Sequence, residues 1–197
     1  MQKIKTAILI SGRGSNMQAL IESAKNPQYL AEISLVISNQ ENATGLEFAR
    51  QNGVKAIFIN HKNFVSRQDF DFEIARTIDA NHCQIICLAG FMRVLSAWFV
   101  NKYQGRIINI HPSLLPSFKG ANAVLDALNY GVKITGCTTH FVTEEIDSGK
   151  IIKQATVEVF PDDDLDSLSI RILKQEHIIY PQSLEIVCRA FNHSCSK

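Results

Sequence analysis

The stretch of the sequence that could do chemistry runs from Ile107 to Pro116 and reads Ile-Ile-Asn-Ile-His-Pro-Ser-Leu-Leu-Pro. Residues two apart on a β-strand share a face, so Asn109 and His111 would project together from the end of one strand, just before Pro112. An amide donor beside a side chain that exchanges protons near neutral pH suits a reaction in which a carbonyl oxygen becomes an oxyanion. A buried polar pair satisfied by the backbone is the alternative reading of this pattern.

The elements that would position these residues alternate along the first half of the chain. Apolar and β-branched runs predict five strands, and helical patterns fit between them. This alternation is typical of βαβ units, so we expect an α/β fold that is doubly wound around a mostly parallel sheet. The predicted strands are Lys5–Ile10, Ile33–Ile37, Ala56–Ile59, Ile85–Leu88 and Arg106–Ile110, and the predicted helices are Asn16–Ala24, Thr44–Asn52, Ser66–Asn81 and Ser96–Tyr103.

The second half of the chain has a different pattern. A short helix near Asn122–Asn129 precedes two strand-like runs, Lys133–Val142 and Lys150–Val159, which are close enough to form an antiparallel pair. The acidic run Asp162–Asp166 favours the start of a helix over a metal cluster, because carboxylates cap free N–H groups there. Pro181 predicts a break or a kink before a final helical stretch.

Composition narrows the class of protein. The chain has 197 residues, 46% hydrophobic and 20% charged, which is ordinary for a globular protein and predicts one domain over residues 1–197. Its net charge of +1 gives no electrostatic footprint for nucleic acid or an anionic membrane. No apolar run reaches the roughly 18 residues of a membrane span, and no secretory signal is evident, so we expect a cytoplasmic protein. Five cysteines without a CxxC pair are expected to be free thiols.

The first predicted strand leads into a glycine-rich turn that could bind an anion. Gly12 and Gly14 permit a tight turn, and Ser15 and Asn16 could cap the following helix or donate to a phosphate. Met17 stands where a dinucleotide fingerprint requires its third glycine, so the pattern favours a monophosphate. A plain capped turn is the alternative.

Two further loops carry unusual residues. Beyond Gly90, a run of apolar side chains could line a flat slot with Arg93 at its mouth, although ordinary core packing explains them equally well. His140 lies in a strand-like run and Asp147 lies in a turn. A carboxylate near an imidazole raises the pKa of the imidazole. An aspartate before Ser-Gly is also a common turn residue. The apolar residues of the slot are Phe91, Met92, Val94 and Leu95.

Together these segments resemble the 10-formyltetrahydrofolate-dependent formyltransferase family over nearly the whole chain. The Asn-x-His-Pro-Ser-Leu-Leu-Pro motif is specific to the wider superfamily, and the Gly-Ser-Asn loop is similar to the branch that acts on glycinamide ribonucleotide. The segments that carry the resemblance are Ile10–Asn16, Leu88–Leu95, Asn109–Pro116, His140–Gly149 and Gln175–Pro181.

The resemblance implies 10-formyltetrahydrofolate as the co-substrate and 5-phosphoribosylglycinamide as the formyl acceptor, with no metal, in a monomer or homodimer. It places the ribonucleotide in the N-terminal half and the folate in the C-terminal half. The catalytic residues that it implies are Asn109, His111 and Asp147, with His140 in support. The ribonucleotide would be held by Gly14, Ser15, Asn16 and Glu176. The folate would be held by Arg67, Met92, Arg93, Val94, Leu95, Asn109, Thr143 and Asp147.

The sequence also departs from the family pattern. Asn122 stands near the position of a histidine in many relatives, and Leu173, beside Lys174, stands where some relatives carry a lysine. The positive partner of the substrate phosphate is therefore left open.

Three other functions remain: a formyltetrahydrofolate hydrolase, a methionyl-tRNA formyltransferase and a non-catalytic folate- or phosphate-binding module. The compact length and the near-neutral charge argue against the first two.

Overall fold

A single sheet of seven strands carries the fold in the computed structural model, which describes residues 3–195. The strands are β1 (Ile4–Ile10), β2 (Ala31–Ser38), β3 (Lys55–Phe58), β4 (Ile85–Leu88), β5 (Ile107–His111), β6 (Ile134–Phe141) and β7 (Ile151–Glu158). The helices are α1 (Ser15–Ala24), α2 (Thr44–Gln51), α3 (Arg67–Ala80), α4 (Ala97–Lys102), α5 (Ala123–Tyr130) and α6 (Leu165–Cys195).

The strands lie in the order β3-β2-β1-β4-β5-β6-β7. The first five in this order pair in parallel, and β6 pairs antiparallel with both β5 and β7. The predicted α/β class, with its mostly parallel sheet and its antiparallel C-terminal pair, is confirmed. One pairing was not predicted: because β6 lies directly beside β5, residues of the C-terminal half lie opposite Asn109 and His111.

The central strand β1 shows why both faces of the sheet are covered. Ile8 and Ile10 pack in the hydrophobic cluster that contains Tyr180 of α6, and Leu9 packs in the opposite cluster with Phe70 of α3. All four of Ala7 to Ile10 are fully buried. A strand that is apolar on both faces can only lie between two layers of helices, so its sequence reads as a continuous apolar run.

The acidic run begins α6, as predicted. The Asp164 carboxylate accepts a hydrogen bond of 2.8 Å from the Ser167 N–H, which caps the helix before its first residue, Leu165. Asp163 accepts hydrogen bonds of 2.7 Å from both terminal nitrogens of Arg171. Within residues 3–195, no group of three or more histidine, cysteine, aspartate or glutamate side chains is arranged to hold a metal ion.

The predicted break at Pro181 is wrong, because α6 continues through this residue for 31 residues in total. A proline inside a helix removes one backbone hydrogen bond and costs about 3 kcal/mol. Burial of the residues around it offsets that cost: Tyr180 and Leu184 are fully buried against the sheet. The Pro181 carbonyl also accepts a hydrogen bond of 2.7 Å from the Tyr29 hydroxyl.

Four of the cysteines that were expected to be free thiols are free, and all four are buried; they are Cys83, Cys87, Cys137 and Cys188. The side chain of Cys195 lies outside the described part of the chain.

None of the helices within residues 3–195 combines the length and the apolar composition that a bilayer crossing needs.

Tyr180 joins α6 to the two strands that lead to the candidate site. Its buried hydroxyl lies 2.9 Å from the Leu88 carbonyl and 3.1 Å from the Ile108 carbonyl, so one proton is shared between β4 and β5. We expect Tyr180→Phe to lower the free energy of unfolding by about 1–3 kcal/mol, because the two buried carbonyls lose their donor. Urea denaturation measures this change. Tyr130→Phe is the control, because Tyr130 is 80% exposed; an equal effect of the two substitutions would contradict the prediction.

Candidate active site

Three loops meet at the carboxyl edge of the parallel strands, where open α/β sheets bind ligands. The loop after β1 contacts the loop after β4, because the Ser11 N–H donates to the Gly90 carbonyl at 3.1 Å. The Met92 N–H donates in return to the Ser11 hydroxyl at 2.8 Å. Gly90 has φ of 76°, a left-handed conformation that a residue without a Cβ adopts readily, and this turns the chain at the end of β4.

The register of β5 against β6 brings Asn109 and His140 together. The two residues are direct partners across the strands, and the Asn109 Nδ2 lies 3.2 Å from the His140 Nε2. The His140 Nδ1 lies 2.9 Å from the Phe141 carbonyl, which can only accept a hydrogen bond. With its proton on Nδ1, His140 accepts from Asn109 at Nε2. The second N–H of the Asn109 amide is then free to donate to a ligand.

Asp147 joins the two histidines of the site. Its Oδ2 lies 3.3 Å from the His111 Nδ1, and its Oδ1 lies 3.5 Å from the His140 Nε2. The Gly120 N–H donates to Oδ2 at 2.9 Å. Burial by itself raises the pKa of Asp147, but the neighbouring imidazoles of His140 and His111 and the hydrogen bond from the Gly120 N–H outweigh burial and hold the pKa below its usual range. The carboxylate is therefore ionised at neutral pH.

His111 is buried, and both of its ring nitrogens face oxygen atoms. Nδ1 faces the Asp147 carboxylate, and Nε2 lies 2.8 Å from the Phe118 carbonyl. Neither oxygen can donate, so both contacts are hydrogen bonds at once only when the ring carries both protons. Sequence reasoning missed the Phe118 carbonyl, since no side-chain pattern reports where a loop carbonyl lies.

The turn that carries Asp147 is held from two sides by residues outside it. The Asn101 side chain of α4 donates to the Glu144 carboxylate at 2.8 Å. Lys119 contacts the Glu145 carboxylate at 3.5 Å and forms a hydrogen bond with the Ser148 hydroxyl. These contacts fix the position of the carboxylate over the histidines, and no motif in the sequence pointed to Asn101 or Lys119.

A cavity of about 460 Å³ lies beside this group. It contains Asn109 and Asp147 together with most of the residues predicted for the folate, and its wall is mainly apolar. His111 and Arg67 are not part of its lining: His111 lies behind Asp147, and Arg67 is exposed at the first residue of α3. The lining residues that the sequence predicted are Met92, Arg93, Val94, Leu95, Asn109, Thr143 and Asp147, and those it did not predict for the slot include Leu88, Val100 and Val142.

Arg93 stands at the edge of the cavity with an unused donor. Its guanidinium carbon lies 5.6 Å from the centroid of the Phe70 ring, a cation–π distance. Its Nε is buried and has no hydrogen-bond partner within the described residues. Buried polar atoms are nearly always paired, so an unpaired one beside a cavity is a position where a ligand would be recognised.

The anion-binding turn lies at the start of α1. Gly14, with φ of 65°, occupies the N-cap position, and in the described structure no side chain caps this helix. Of the two readings of this turn, the plain capped turn is not found, because the Asn16 amide instead donates to the Glu176 carboxylate of α6 at 2.6 Å. The first N–H groups of α1 therefore keep their capacity to bind an anion.

Glu176 is 7% exposed, and its environment disfavours the charge. Burial raises its pKa above the model-peptide value of 4.5, although the hydrogen bond from Asn16 lowers it in part. A carboxyl with a raised pKa binds more protons in the folded than in the unfolded protein, so it stabilises the fold at low pH. That contribution disappears as the pH rises through the folded-state pKa.

We expect the neutral variant Glu176→Gln to reveal this titration. The free energy of unfolding of the variant, minus that of the wild type, should increase as the pH rises from about 4 and then level off above the folded-state pKa. Urea denaturation between pH 4 and pH 8 measures the difference. A difference that does not change over this range would show that Glu176 does not titrate as its surroundings indicate.

The sequence profile described as Formyl transferase matches residues 4–184 of the chain. The match covers most of the chain and includes every residue of the catalytic group and of both candidate binding regions described above. The chain therefore belongs to the formyl transferase family.

Named relatives give the particular branch. Phosphoribosylglycinamide formyltransferase of Escherichia coli is 44% identical over 174 residues, which are 88% of this chain and 82% of that protein. The trifunctional purine biosynthetic protein adenosine-3 of Gallus gallus is 50% identical over 185 residues, which are 94% of this chain but 18% of that protein. The chain thus spans about a fifth of the length of that trifunctional relative.

Solved structures agree with the fold. The phosphoribosylglycinamide formyltransferase of Brucella melitensis superposes with a TM-score of 0.91 at 43% identity, over 95% of this chain and 96% of that one. The glycinamide ribonucleotide transformylase 1 of Symbiobacterium toebii superposes with a TM-score of 0.94 at 40% identity, over 95% of this chain and 89% of that one.

Proposed function

We propose that the protein transfers the formyl group of 10-formyltetrahydrofolate to the amine of 5-phosphoribosylglycinamide. The observation that supports this most strongly is the group of Asn109, His111, His140 and Asp147 beside the apolar cavity, in a chain of the formyl transferase family. The similar proteins of Escherichia coli and Brucella melitensis are both phosphoribosylglycinamide formyltransferases, which supports the same activity. We further propose that the chain acts as a cytoplasmic monomer or homodimer.

The proposed reaction begins when the glycinamide amine attacks the formyl carbon and forms a tetrahedral oxyanion. Asn109 would donate its free N–H to this oxygen, because its other N–H is held by His140. His111 would supply the second donor. Its Nε2 now faces the Phe118 carbonyl, so donation to the oxyanion requires that this hydrogen bond exchange for the substrate.

The second half of the proposed reaction is a proton transfer. The attacking amine must lose a proton, and the departing folate nitrogen must gain one when its bond to the formyl carbon breaks. Asp147 lines the cavity as an ionised carboxylate and is the base that could carry this proton, through a water molecule. Its Oδ2 also lies 3.3 Å from the His111 Nδ1 and orients that ring.

The cavity suits a flat aromatic ligand with a polar edge. Leu88, Leu95 and Val142 offer apolar surface, and the unpaired Nε of Arg93 offers a donor at the rim. We propose that the pterin of the folate lies here under the Thr143–Asp147 turn, while Arg67 contacts the folate outside the cavity. Such a placement brings the formyl group toward Asn109.

The test is an assay of folate product formed from 10-formyltetrahydrofolate, with and without 5-phosphoribosylglycinamide. We expect folate release that depends on the ribonucleotide, with one formylated ribonucleotide per folate detected by mass spectrometry. Folate release that is equal without the ribonucleotide would replace the proposal with a hydrolase. Tight folate binding with no release would replace it with a non-catalytic binding module.

A further inference from the structure

One wall of the apolar cavity is a loop that is held at few points along its backbone. This slot loop, residues 91–96, follows Gly90 and ends at Ser96, which is the N-cap of α4. Met92 and Val94 are 78% and 51% exposed, so packing alone does not fix them. Within the described part of the chain, the only backbone N–H groups of the slot loop that donate hydrogen bonds are those of Met92 and Ser96.

The second of these two anchors is a buried carboxylate of α3. The Ser96 N–H donates to the Asp71 Oδ2 at 2.6 Å, across 25 positions of the chain. Asp71 is 1% exposed and Ser96 is 5% exposed. The Ser96 hydroxyl also accepts the Phe99 N–H at 3.3 Å and thereby caps α4. Asp71 therefore fixes the point at which the slot loop becomes a helix.

The residue before Asp71 supports the same loop nearer its middle. Phe70 is buried, and the centroid of its ring lies 5.6 Å from the guanidinium carbon of Arg93. Leu95 packs in the same hydrophobic cluster as Phe70. Two consecutive residues of α3 thus contact the slot loop at Arg93 and at Ser96, so the position of α3 sets the position of this wall.

A carboxylate at position 71 lowers the stability of the folded protein. Burial raises the pKa of Asp71, and the hydrogen bonds from Ser96 and the positive charges of Arg67 and Arg93 reverse this only in part. None of the ion pairs within residues 3–195 includes Asp71. A neutral residue of similar size in place of a buried charge is often equally stable or more stable. The carboxylate therefore indicates a role other than stabilising the core.

The strength of the hydrogen bond gives that role a physical basis. A charged acceptor forms a shorter and stronger hydrogen bond than a neutral one, and 2.6 Å is short for an N–H group and an oxygen. Such a bond holds the start of α4 in place before a ligand arrives, so that binding does not have to order the wall. Val100 of α4 also lines the cavity, and the same anchor positions it.

We propose that Asp71 is a positioning residue for the folate, which acts by fixing Ser96 and thereby the slot loop that lines the cavity. Asp71 does not line the cavity itself, so it would act through the loop and not through contact with the ligand. The identity of the ligand rests on the proposed function, whereas the anchoring of the loop rests on the contacts of α3.

The first test replaces Asp71 by leucine, which has a similar branched shape but no acceptor. We expect Asp71→Leu to raise the KM for 10-formyltetrahydrofolate by about 10- to 100-fold, the usual loss for a hydrogen bond to a charged group. The KM for 5-phosphoribosylglycinamide and kcat should stay within about twofold. A loss of folded protein would instead lower the apparent kcat and leave both KM values unchanged. A folded Asp71→Leu variant with an unchanged KM for the folate would overturn the inference.

Two further variants separate the anchor from a general loosening of the helices. Asp71→Asn keeps an acceptor for Ser96 and should bring the KM for the folate to within about threefold of the wild-type value. Asp79→Leu is the matched control, because Asp79 accepts the Tyr103 hydroxyl at 2.7 Å and joins α3 to the other end of α4. Tyr103 does not line the cavity, so this KM should not change. An equal rise in Asp79→Leu would contradict the inference.

Amide hydrogen exchange of the wild type, followed by NMR, tests the anchor without any substitution. The Ser96 N–H should exchange much more slowly than the N–H groups of Arg93 and Val94, which have no acceptor within the described residues. Exchange of Ser96 that is as fast as that of Arg93 would show that the anchor does not hold the loop. This result would sink the inference even if Asp71→Leu did not fold.

Binding of 5-formyltetrahydrofolate, measured by titration calorimetry, separates this inference from the proposed function. If the wild type binds this folate at least about 10-fold more tightly than Asp71→Leu does, Asp71 positions the slot loop even where no formyl transfer is detected. If both bind it equally, the inference is wrong even where formyl transfer is efficient. A wild type that does not bind it would overturn both.

Discussion

Replacing Asn109 by alanine is expected to lower kcat by about 10²–10³-fold, the usual loss when one oxyanion donor is removed. The amide is held by His140 at 3.2 Å, so its second N–H has a fixed direction into the cavity. A donor that is fixed before the reaction stabilises the transition state without reorganisation. The loss should therefore appear in kcat, while the dissociation constant for the folate changes little.

A matched control is available in Asn52, whose side-chain amide donates to the Phe48 carbonyl at 2.9 Å at the end of α2. Asn52→Ala removes a comparable hydrogen bond far from the cavity and should leave kcat unchanged. Circular dichroism and thermal unfolding would establish that both variants are folded. Near-normal turnover in a folded Asn109→Ala variant would overturn the proposed role of this amide.

Replacing Asp147 by asparagine should lower kcat by about 10²–10⁴-fold, the range associated with loss of a general base. The substitution keeps the size of the side chain and can still accept the Gly120 N–H, but it removes the negative charge between His111 and His140. His111 then loses the carboxylate that orients its ring, and the departing proton of the amine loses its acceptor. Asp126→Asn, on the exposed face of α5, is the control.

The pH dependence of the wild type follows from the lowered pKa of Asp147. A carboxylate whose pKa is depressed in the folded protein is still ionised at the pH where an ordinary aspartate becomes protonated. It loses its negative charge only as the pH falls through its own lower pKa. We therefore expect kcat to show no loss attributable to Asp147 at the pH where an ordinary aspartate is protonated. A steady-state rate profile from about pH 3 to pH 9 measures this, and an acidic decrease centred at the ordinary aspartate value that is absent in Asp147→Asn would contradict it.

Much of the fold follows from local sequence patterns. The strand-like runs predicted all seven strands to within two residues at either end. For the central strands β1 and β4 the signal is strong, because a strand buried on both faces has to be apolar throughout. The error at Pro181 has a clear physical origin. The local cost of a proline is read correctly from the sequence, but the burial of Tyr180 and Leu184 against the sheet is not visible there.

The candidate site was predictable only in part. The motif around Asn109 and His111 carried its chemistry in residue types two apart on one strand, which is a local signal. Capping of α1 by Ser15 or Asn16 was one of two open readings of the glycine-rich turn, and the Asn16 amide instead bonds Glu176, 160 positions away along the chain. No local rule can find a partner at that distance, because the choice between capping and a tertiary hydrogen bond depends on how α6 packs on α1.

The sequence by itself therefore determined the class of fold, and it predicted the edge of the sheet where we propose the chemistry lies and the types of residue that we propose perform it. The tertiary structure alone decided which of these residues touch: His140 opposite Asn109, Asp147 against both histidines, and Asn16 against Glu176. The reason is physical. Propensity and periodicity act between near neighbours in the chain, whereas register between strands and the packing of distant helices are set by the free energy of burying the whole core.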